Sequence, residues 1–390
     1  ITVGHVGPTA DKYSDEGVPF LRSQNIAPFR LMLDDLKYVP RDFHEKLRKS
    51  CLRPGDVAVV RTGYPGTACV IPATFTELNC ADLVVITPSQ ELNPYYLAAI
   101  FNSAWGVASV AGNLVGVAQQ HFNIGAAREL EVSLPSRATQ DKVAGILSVY
   151  DELIENNRRR IRILEEMACA LYREWFVEFR FPGHGKIKLV ESPLGRVPQG
   201  WGVKELSEVA EVNRAQINAR NVPEELHYID ISSVSPGQID SVTTYPFAQA
   251  PGRARRIVQH GDVLWSCVRP NRRSHVLIMH PEPNTIASTG FAVLTSRTVP
   301  FMFLYAATTA DDFVAYLTNN ASGAAYPAVT AAVFEKAKML VPSSELLERF
   351  GDAAIPMAEQ AHSLRRQSAN LRQARDLLLP RLLSGAACVH

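Results

Sequence analysis

Apolar residues recur every three or four positions in two long stretches of this chain, and elsewhere the pattern breaks into short runs, turns and glycines. In the first stretch, residues 137–181, apolar or small side chains fall at Val143, Ile146, Tyr150, Leu153, Ile161, Leu164, Ala168, Leu171 and Trp175. Steps of three and four keep one stripe on one face of a helix. No proline interrupts it, Gly145 is its single glycine, and Pro182-Gly183 closes it. Ser136, just before it, is placed to cap the first turn. Asn157 breaks the stripe where a polar residue facing a partner helix fixes register. At ~1.5 Å per residue the helix is roughly 60 Å long. A single globular domain has little use for such a rod, so a second element is expected along it.

The second stretch, residues 344–386, carries Phe350, Met357, Leu364, Leu371, Leu378 and Leu382 on the same spacing. Pro356 is expected to kink it or delay its regular start. Each rod follows a mixed region of short strands and helices, residues 1–136 and 182–343. In the first region the turn Arg53-Pro54-Gly55-Asp56 leads into the strand Val57-Ala58-Val59-Val60, and Asn93-Pro94 opens a helix. In the second, Gln259-His260-Gly261-Asp262 leads into Val263-Leu264-Trp265-Ser266.

The two halves run in phase. Gly55-Asp56 and Gly261-Asp262 stand 206 apart, and Leu21 and Ile229 stand 208 apart. Pro135 and Pro342, Tyr150 and Met357, Leu164 and Leu371, and Leu171 and Leu378 each stand 207 apart. One Gly-Asp pair is ordinary turn chemistry, but agreement within two residues along most of the chain marks a tandem duplication. The fold class expected is α+β: two mixed domains in tandem pseudo-repeat, with two long helices paired as an antiparallel coiled coil. A ruler with a head at each end suits a bipartite linear target, of which DNA is the obvious one.

Composition narrows the classes. The chain has 390 residues, 46% hydrophobic and 20% charged, which describes two globular domains and not a disordered polymer. No apolar run reaches the length of a membrane span, and no signal-peptide pattern opens the chain. Six scattered cysteines without a CxxC pair point to a reducing cytoplasm and away from a zinc knuckle. The net charge of +1 requires any nucleic-acid surface to be local.

Enzyme signatures are absent. Asn93-Pro94-Tyr95-Tyr96 departs at its third residue from the Asn-Pro-Pro-aromatic motif of amino-methyltransferases, and no glycine-rich strand–turn–helix suits a nucleotide. Gly63-Tyr64-Pro65-Gly66 lacks the lysine and serine of a phosphate loop, and no metal-binding pair of histidines is visible. Neither catalysis nor a metal is expected in this chain.

The sequence resembles the specificity subunits of type I restriction–modification systems. The stretches that carry the resemblance are LRSQNI (21–26), RPGDVAVVRTG (53–63), NPYYLAAIFNS (93–103), the helix segment from Gln140 to Glu165, GRVPQGWGVKELSEVAEV (195–212) and HGDVLWSCVRPN (260–271). The first domain lacks an opening like VPQGWGVKELSEV, so the chain is expected to begin a dozen or more residues late. The resemblance implies two target-recognition domains, each reading one half of an asymmetric split site on double-stranded DNA. It implies helices that set the spacer and dock two methyltransferase subunits. Those partners bind S-adenosylmethionine, and ATP and magnesium serve the complex through a restriction subunit where one is present. It implies no cofactor for this chain and no membrane. Without partners, the apolar rods are expected to drive self-association.

The densest candidate surface is the pair of basic runs Arg253, Arg255, Arg256 and Arg269, Asn271, Arg272, Arg273, because a guanidinium fork donates to phosphate and to guanine in pairs. A solvated surface cluster is the plainer reading. Ser288 and Tyr326 join them in the second domain. In the first, Arg61, Thr62, Tyr64, Gln119 and Gln120 are the polar candidates, set against a structural turn and an ordinary helix start. Arg22, Gln24 and Asn25 are implied by the resemblance. The mid-rod run Arg158-Arg159-Arg160 is balanced by acids and reads as a solvated or partner-facing surface. Two other classes stay open: a helical scaffold whose heads bind protein, and a stand-alone methyltransferase, which would have to bind cofactor by itself.

Overall fold

A computed structural model describes residues 1–114, 121–218 and 222–385. The chain divides into two compact units, Ile1–Asn157 with Arg366–His390, and Arg158–Arg365. Both long helices form: Arg137–Tyr172, extended by a π-turn over Arg173–Val177, and Ser344–Leu383. The first ends short of the expected residue 181, with Phe179 in the left-handed region at φ 57°. The Ser136 Oγ accepts from the Thr139 N–H at 3.3 Å, as a cap does. The second helix begins at Ser344 and runs through Pro356 without a break.

Along the first helix the buried positions are Gln140, Val143, Ala144, Leu147, Ile154, Asn157 and Ala168. The stripe therefore passes through Ile154, and the expected Leu153 is exposed. Asn157 is buried, 7% exposed, as a register residue should be.

In unit 1 a four-stranded antiparallel sheet has the order Thr2–Val3, Leu83–Ile86, Val57–Val60, Ala68–Val70. Strand residues alternate between two faces. Ala58, Val60 and Val85 therefore pack with Leu21, Ile26 and Cys80, while Val57, Val59 and Val84 meet Leu97, Ala98 and Phe101 of the helix Pro94–Asn102. Asn93 caps that helix, accepting from the Tyr95 and Tyr96 N–H groups at 2.8 and 3.2 Å. A smaller sheet has the order Lys37–Val39, Val18–Leu21, Asn79–Cys80. The ends of both long helices complete this unit. Val143 and Leu147 pack with Leu379 and Leu382 against Tyr96 and Ile100. The Arg375 guanidinium bonds Asp151 at 2.5 Å and lies 4.5 Å from the Phe29 ring centroid. The pairs 147–379 and 151–375 run in opposite senses, so the helix segments within this unit are antiparallel.

Arg375→Ala would leave Asp151 facing a protein surface without its cation. Asp151 keeps 27% side-chain exposure, which softens the loss to about 2 kcal/mol. Burial already raises the Asp151 carboxyl against the lowering pull of Arg375, and removing the arginine raises it further. The deficit should therefore shrink as pH falls and the carboxyl takes a proton. Urea midpoints of both proteins at pH 8 and pH 5 check this.

Unit 2 repeats the order of both sheets, with additions. Its first sheet has the order Ala210–Val212, Phe291–Ser296, Val263–Ser266, His275–Leu277, and its second Thr243–Pro246, Glu225–Ile229, Thr285–Ser288, Ala254–Ile257, the last strand being an addition. The turn before the central strand is the same device in both units. Gly55 and Gly261 sit at φ 88° and 84°, where a side chain would be strained. Asp56 accepts from the Arg53 N–H and the Thr87 hydroxyl at 2.8 and 2.6 Å. Asp262 accepts from the Gln259 N–H and the Thr295 hydroxyl at 2.8 and 2.7 Å. Unit 2 also pairs Gly202–Glu205 with Lys338–Val341, whereas residues 131–134, the counterpart in unit 1, form no strand. Its core gathers Trp265, Phe303, Phe334 and Phe350, with Phe176 from the first long helix. Glu165 and Arg365 pair within it, and Tyr172 lies 6.3 Å from Phe350, again an antiparallel progression.

Candidate nucleic-acid interface

In unit 2 a ladder of backbone hydrogen bonds ties four loops into one rim. The Thr289 N–H donates to the Arg253 carbonyl at 2.8 Å, and the Cys267 N–H to the Gly290 carbonyl at 2.9 Å. The Val329 N–H donates to the Cys267 carbonyl at 2.9 Å, and the Arg269 N–H to the Pro327 carbonyl at 2.7 Å. Residues far apart in sequence, Arg253, Thr289, Arg269 and Tyr326, thereby share one edge of the domain.

The loop between Val263–Ser266 and His275–Leu277 is built around a short turn, Pro270–Arg272. Arg269 and Arg273, on either side, both occupy the left-handed region at φ 51° and 55°. Such backbone costs on the order of 1–3 kcal/mol each and persists where the surroundings fix it. Arg269 is fixed by its Nη2 donating to the Ala325 carbonyl at 3.2 Å and by stacking 4.6 Å from the Tyr326 ring centroid. Arg273 pairs with Asp311. Asn271, Arg272 and Arg253 are exposed, and Tyr326 is 68% exposed. An arginine stacked on an exposed tyrosine presents a flat, cationic, donor-rich face of the kind that meets phosphate or base edges.

The remaining unit 2 candidates lie deeper. Arg255 donates to the Ala254 carbonyl and stacks 5.3 Å from the Phe247 centroid. Arg256 is half-buried, and its Nε is buried without a hydrogen-bond partner among the described residues. Ser288 is fully buried and its Oγ accepts from the Gly290 N–H at 3.2 Å. It shapes the turn and leaves the candidate surface.

Unit 1 presents the equivalent loop, residues 61–67, with different chemistry. Arg61 is turned inward: its Nη1 meets Asp82 at 3.2 Å and its Nε donates to the Phe122 carbonyl at 3.2 Å. Thr62 also donates to Asp82. Tyr64, 85% exposed, stands at the tip. Asp82 escaped the sequence reading, because an isolated acid beside a short strand carries no signal of its partners. Gln119 and Gln120 lie outside the described residues.

Arg22, Gln24 and Asn25 form an internal network. Arg22 and Gln24 both donate to Asp35, at 2.9 and 2.7 Å, and Lys37 followed by Arg22 holds the Asp35 carboxyl down to about 2. Asn25, 1% exposed, accepts from the Arg22 N–H and donates to the Met32 carbonyl. Burial with both ends of its amide satisfied takes Asn25 out of the candidate surface, and its work is to hold the loop.

No family model matches the chain. Among curated proteins it is similar to the type I restriction enzyme MjaIX specificity subunit of Methanocaldococcus jannaschii, 23% identical over 286 residues, covering 66% of this chain and 61% of that protein. It is also similar to the HindI specificity subunit of Haemophilus influenzae, 26% identical over 319 residues, covering 66% of this chain and 69% of that one. The chain thus spans about three-fifths of the length of the first of these relatives. In fold it matches the type I restriction–modification S subunit of M. genitalium with a TM-score of 0.56 at 17% identity, over 97% of this chain and 92% of that one. No described helix is long and apolar enough to cross a membrane. The relatives by sequence and the neighbour by fold are of one kind, and it is the kind the motifs indicate: the specificity subunits of type I restriction–modification systems.

Proposed function

We propose that this chain is a non-catalytic specificity subunit that reads a two-part, asymmetric DNA site and directs partner subunits to it. One observation carries the reading: two units of matching sheet order and matching Gly-Asp turns hold, at the equivalent position, loops of unlike sequence. A shared scaffold with unlike loops is what recognition of two unlike half-sites requires. Phosphate contacts from the exposed arginines would supply salt-sensitive affinity, and base-edge contacts the choice of sequence. Partner methyltransferases, binding S-adenosylmethionine, would then modify adenine at N6 after the base leaves the stack. A restriction subunit, using ATP and magnesium, would cut unmodified DNA.

The helices support a docking role. Val149 and Leu153 in unit 1, and Ile163 and Met167 in unit 2, are apolar yet about half exposed, each pair four residues apart on one helix face. The same faces favour the second reading, a scaffold whose heads bind protein.

Long-read methylation sequencing of cells with and without the gene, in the presence of expressed partner subunits, tests the proposal. Loss of one split, asymmetric N6-methyladenine motif is expected. An unchanged methylome would overturn it. On the recovered site, Arg269→Ala and Tyr326→Ala should each weaken binding by about 1–3 kcal/mol. Relaxed discrimination at one base would mark Arg269 as a base reader. A uniform loss with a shallower salt slope would mark it as a phosphate contact. A scaffold would show no salt-dependent DNA affinity at all.

A further inference from the structure

Unit 2 gathers three histidines and a glutamate at the place where its second long helix lies against the strand–turn edge of the domain. His260 belongs to the turn before Val263–Ser266, and His280 follows His275–Leu277. Glu359 and His362 are one turn apart on the helix Ser344–Leu383. The His280 Nε2 stands 2.8 Å from Glu359 Oε2, and the His260 Nε2 stands 3.7 Å from Glu359 Oε1. The two imidazoles face each other at 4.4 Å between centroids, tilted by 38°. The His362 ring lies 5.3 Å from that of His280. One ligand atom each from His260, His280 and Glu359 lies within 4.8 Å of the other two.

An exposed His–Glu ion pair explains one of these contacts and is worth little. It does not explain why a second imidazole is held against the same carboxylate, or why His280 sits in the left-handed region at φ 45°. Such a conformation costs a histidine energy and persists where something fixes it. The donors are two neutral imidazoles and one carboxylate, a set that suits zinc and its neighbours better than calcium or magnesium. In a tetrahedral site with bonds of about 2.0–2.1 Å, ligand atoms lie roughly 3.3 Å apart. The ligand atoms therefore have to draw together by up to about 1.5 Å for the site to close.

We infer that His260, His280 and Glu359 form a site for a divalent transition metal of the zinc class, with His362, one helical turn from Glu359 and outside the present cluster, able to turn in as a fourth ligand. The ion clamps the long helix to the edge of the recognition domain. Binding requires a change at both rings, and at His280 the Nε2 that donates to Glu359 at 2.8 Å has to release its proton. The His280 backbone N–H donates to His260 Nδ1 at a long 3.3 Å. For the Nε2 lone pair of His260 to meet a metal, Nδ1 has to carry the ring hydrogen, and this contact opens. The sequence hid the site because His260 and His280 are 20 residues apart and Glu359 follows 79 residues later, with no spacing that signals a metal.

The test uses the full chain without a histidine tag, stripped with chelator and titrated with Zn²⁺ by calorimetry and with Co²⁺ by visible absorption. One ion per chain is expected, with intense tetrahedral Co²⁺ bands and a melting temperature raised by the metal. His260→Ala, His280→Ala and Glu359→Gln should each weaken binding by at least about tenfold, while His184→Ala leaves it unchanged. Circular dichroism matching the wild type establishes that each variant is folded, and Glu359→Gln keeps the helix surface intact if a histidine variant is not. No saturable binding by the wild type overturns the inference. So does unchanged affinity in the His260→Ala/His280→Ala double variant.

Discussion

Phe350→Ala should cost unit 2 about 3–5 kcal/mol, the ordinary range for removing a fully buried aromatic ring. Phe350 is 0% exposed, and its ring packs inside an aromatic cluster. Phe176 lies 5.1 Å away, Trp175 6.2 Å, Tyr172 6.3 Å and Phe303 6.4 Å, centroid to centroid. Three of these come from the first long helix and its π-turn, Phe350 from the second helix, and Phe303 from the helix Phe301–Thr309 of the domain. One deletion therefore loosens the contact of both long helices with the domain and leaves a cavity lined by four rings. Phe350→Leu should cost far less, because most of the volume is retained. Urea unfolding followed by tryptophan fluorescence isolates the effect, since Trp175, Trp201 and Trp265 lie in unit 2 and only Trp105 lies in unit 1. A midpoint within error of the wild type would show that the cluster does not hold the unit together.

Acid should destabilise unit 2 through His275. This side chain is 8% exposed and stacks between Trp265 and Tyr305, at 4.8 and 5.8 Å. Burial first, and the positive charge of Arg273 second, lower it from 6.5 to about 4. The folded state thus keeps His275 neutral where the unfolded chain would take up a proton. Stability from this group is fully present above pH 6.5 and drains away as pH falls toward 4, by about 3 kcal/mol in all. Carboxylates add their own acid dependence, so the informative quantity is the difference between wild type and His275→Gln. That difference should change by about 3 kcal/mol between pH 7 and pH 4, and a constant difference would mean that His275 is as solvated folded as unfolded.

The long helices and the duplication were legible because both rest on many residues at once. A 3-and-4 spacing over some forty positions is hard to produce by chance, and a Gly-Asp turn, a Pro-Ser pair and two rods in phase support one another. The structure extends the match to pairs such as Thr87 and Thr295, whose hydroxyls meet the equivalent aspartates. The candidate surface was less legible. Arg269 and Arg61 are both arginines at the base of equivalent loops. Arg269 stacks on an exposed tyrosine, while Arg61 turns inward to Asp82, and only the three-dimensional position of Asp82 decides between them. Asn25 and Ser288 illustrate the same limit. Small polar residues serve a turn or a ligand with the same atoms, and burial settles the matter. The exact register of the first helix, Ile154 in place of Leu153, depends on neighbours that a single helix does not contain.

The division of each long helix between the two units also sets an order of completion during synthesis. Unit 2 has all its residues once Arg365 has been made. Unit 1 lies earlier in the chain yet needs Leu379 and Leu382 to cover Tyr96, Ile100, Val143 and Leu147. Of the two units, the one made earlier is thus the later to close, and until Leu382 has been made it carries an open apolar seam of the kind that recruits chaperones or mispairs with a neighbouring chain. A stop codon shortly after Arg365 would leave that seam open for good, and the loss of residues 366–390 would be felt in the unit built from residues 1–157.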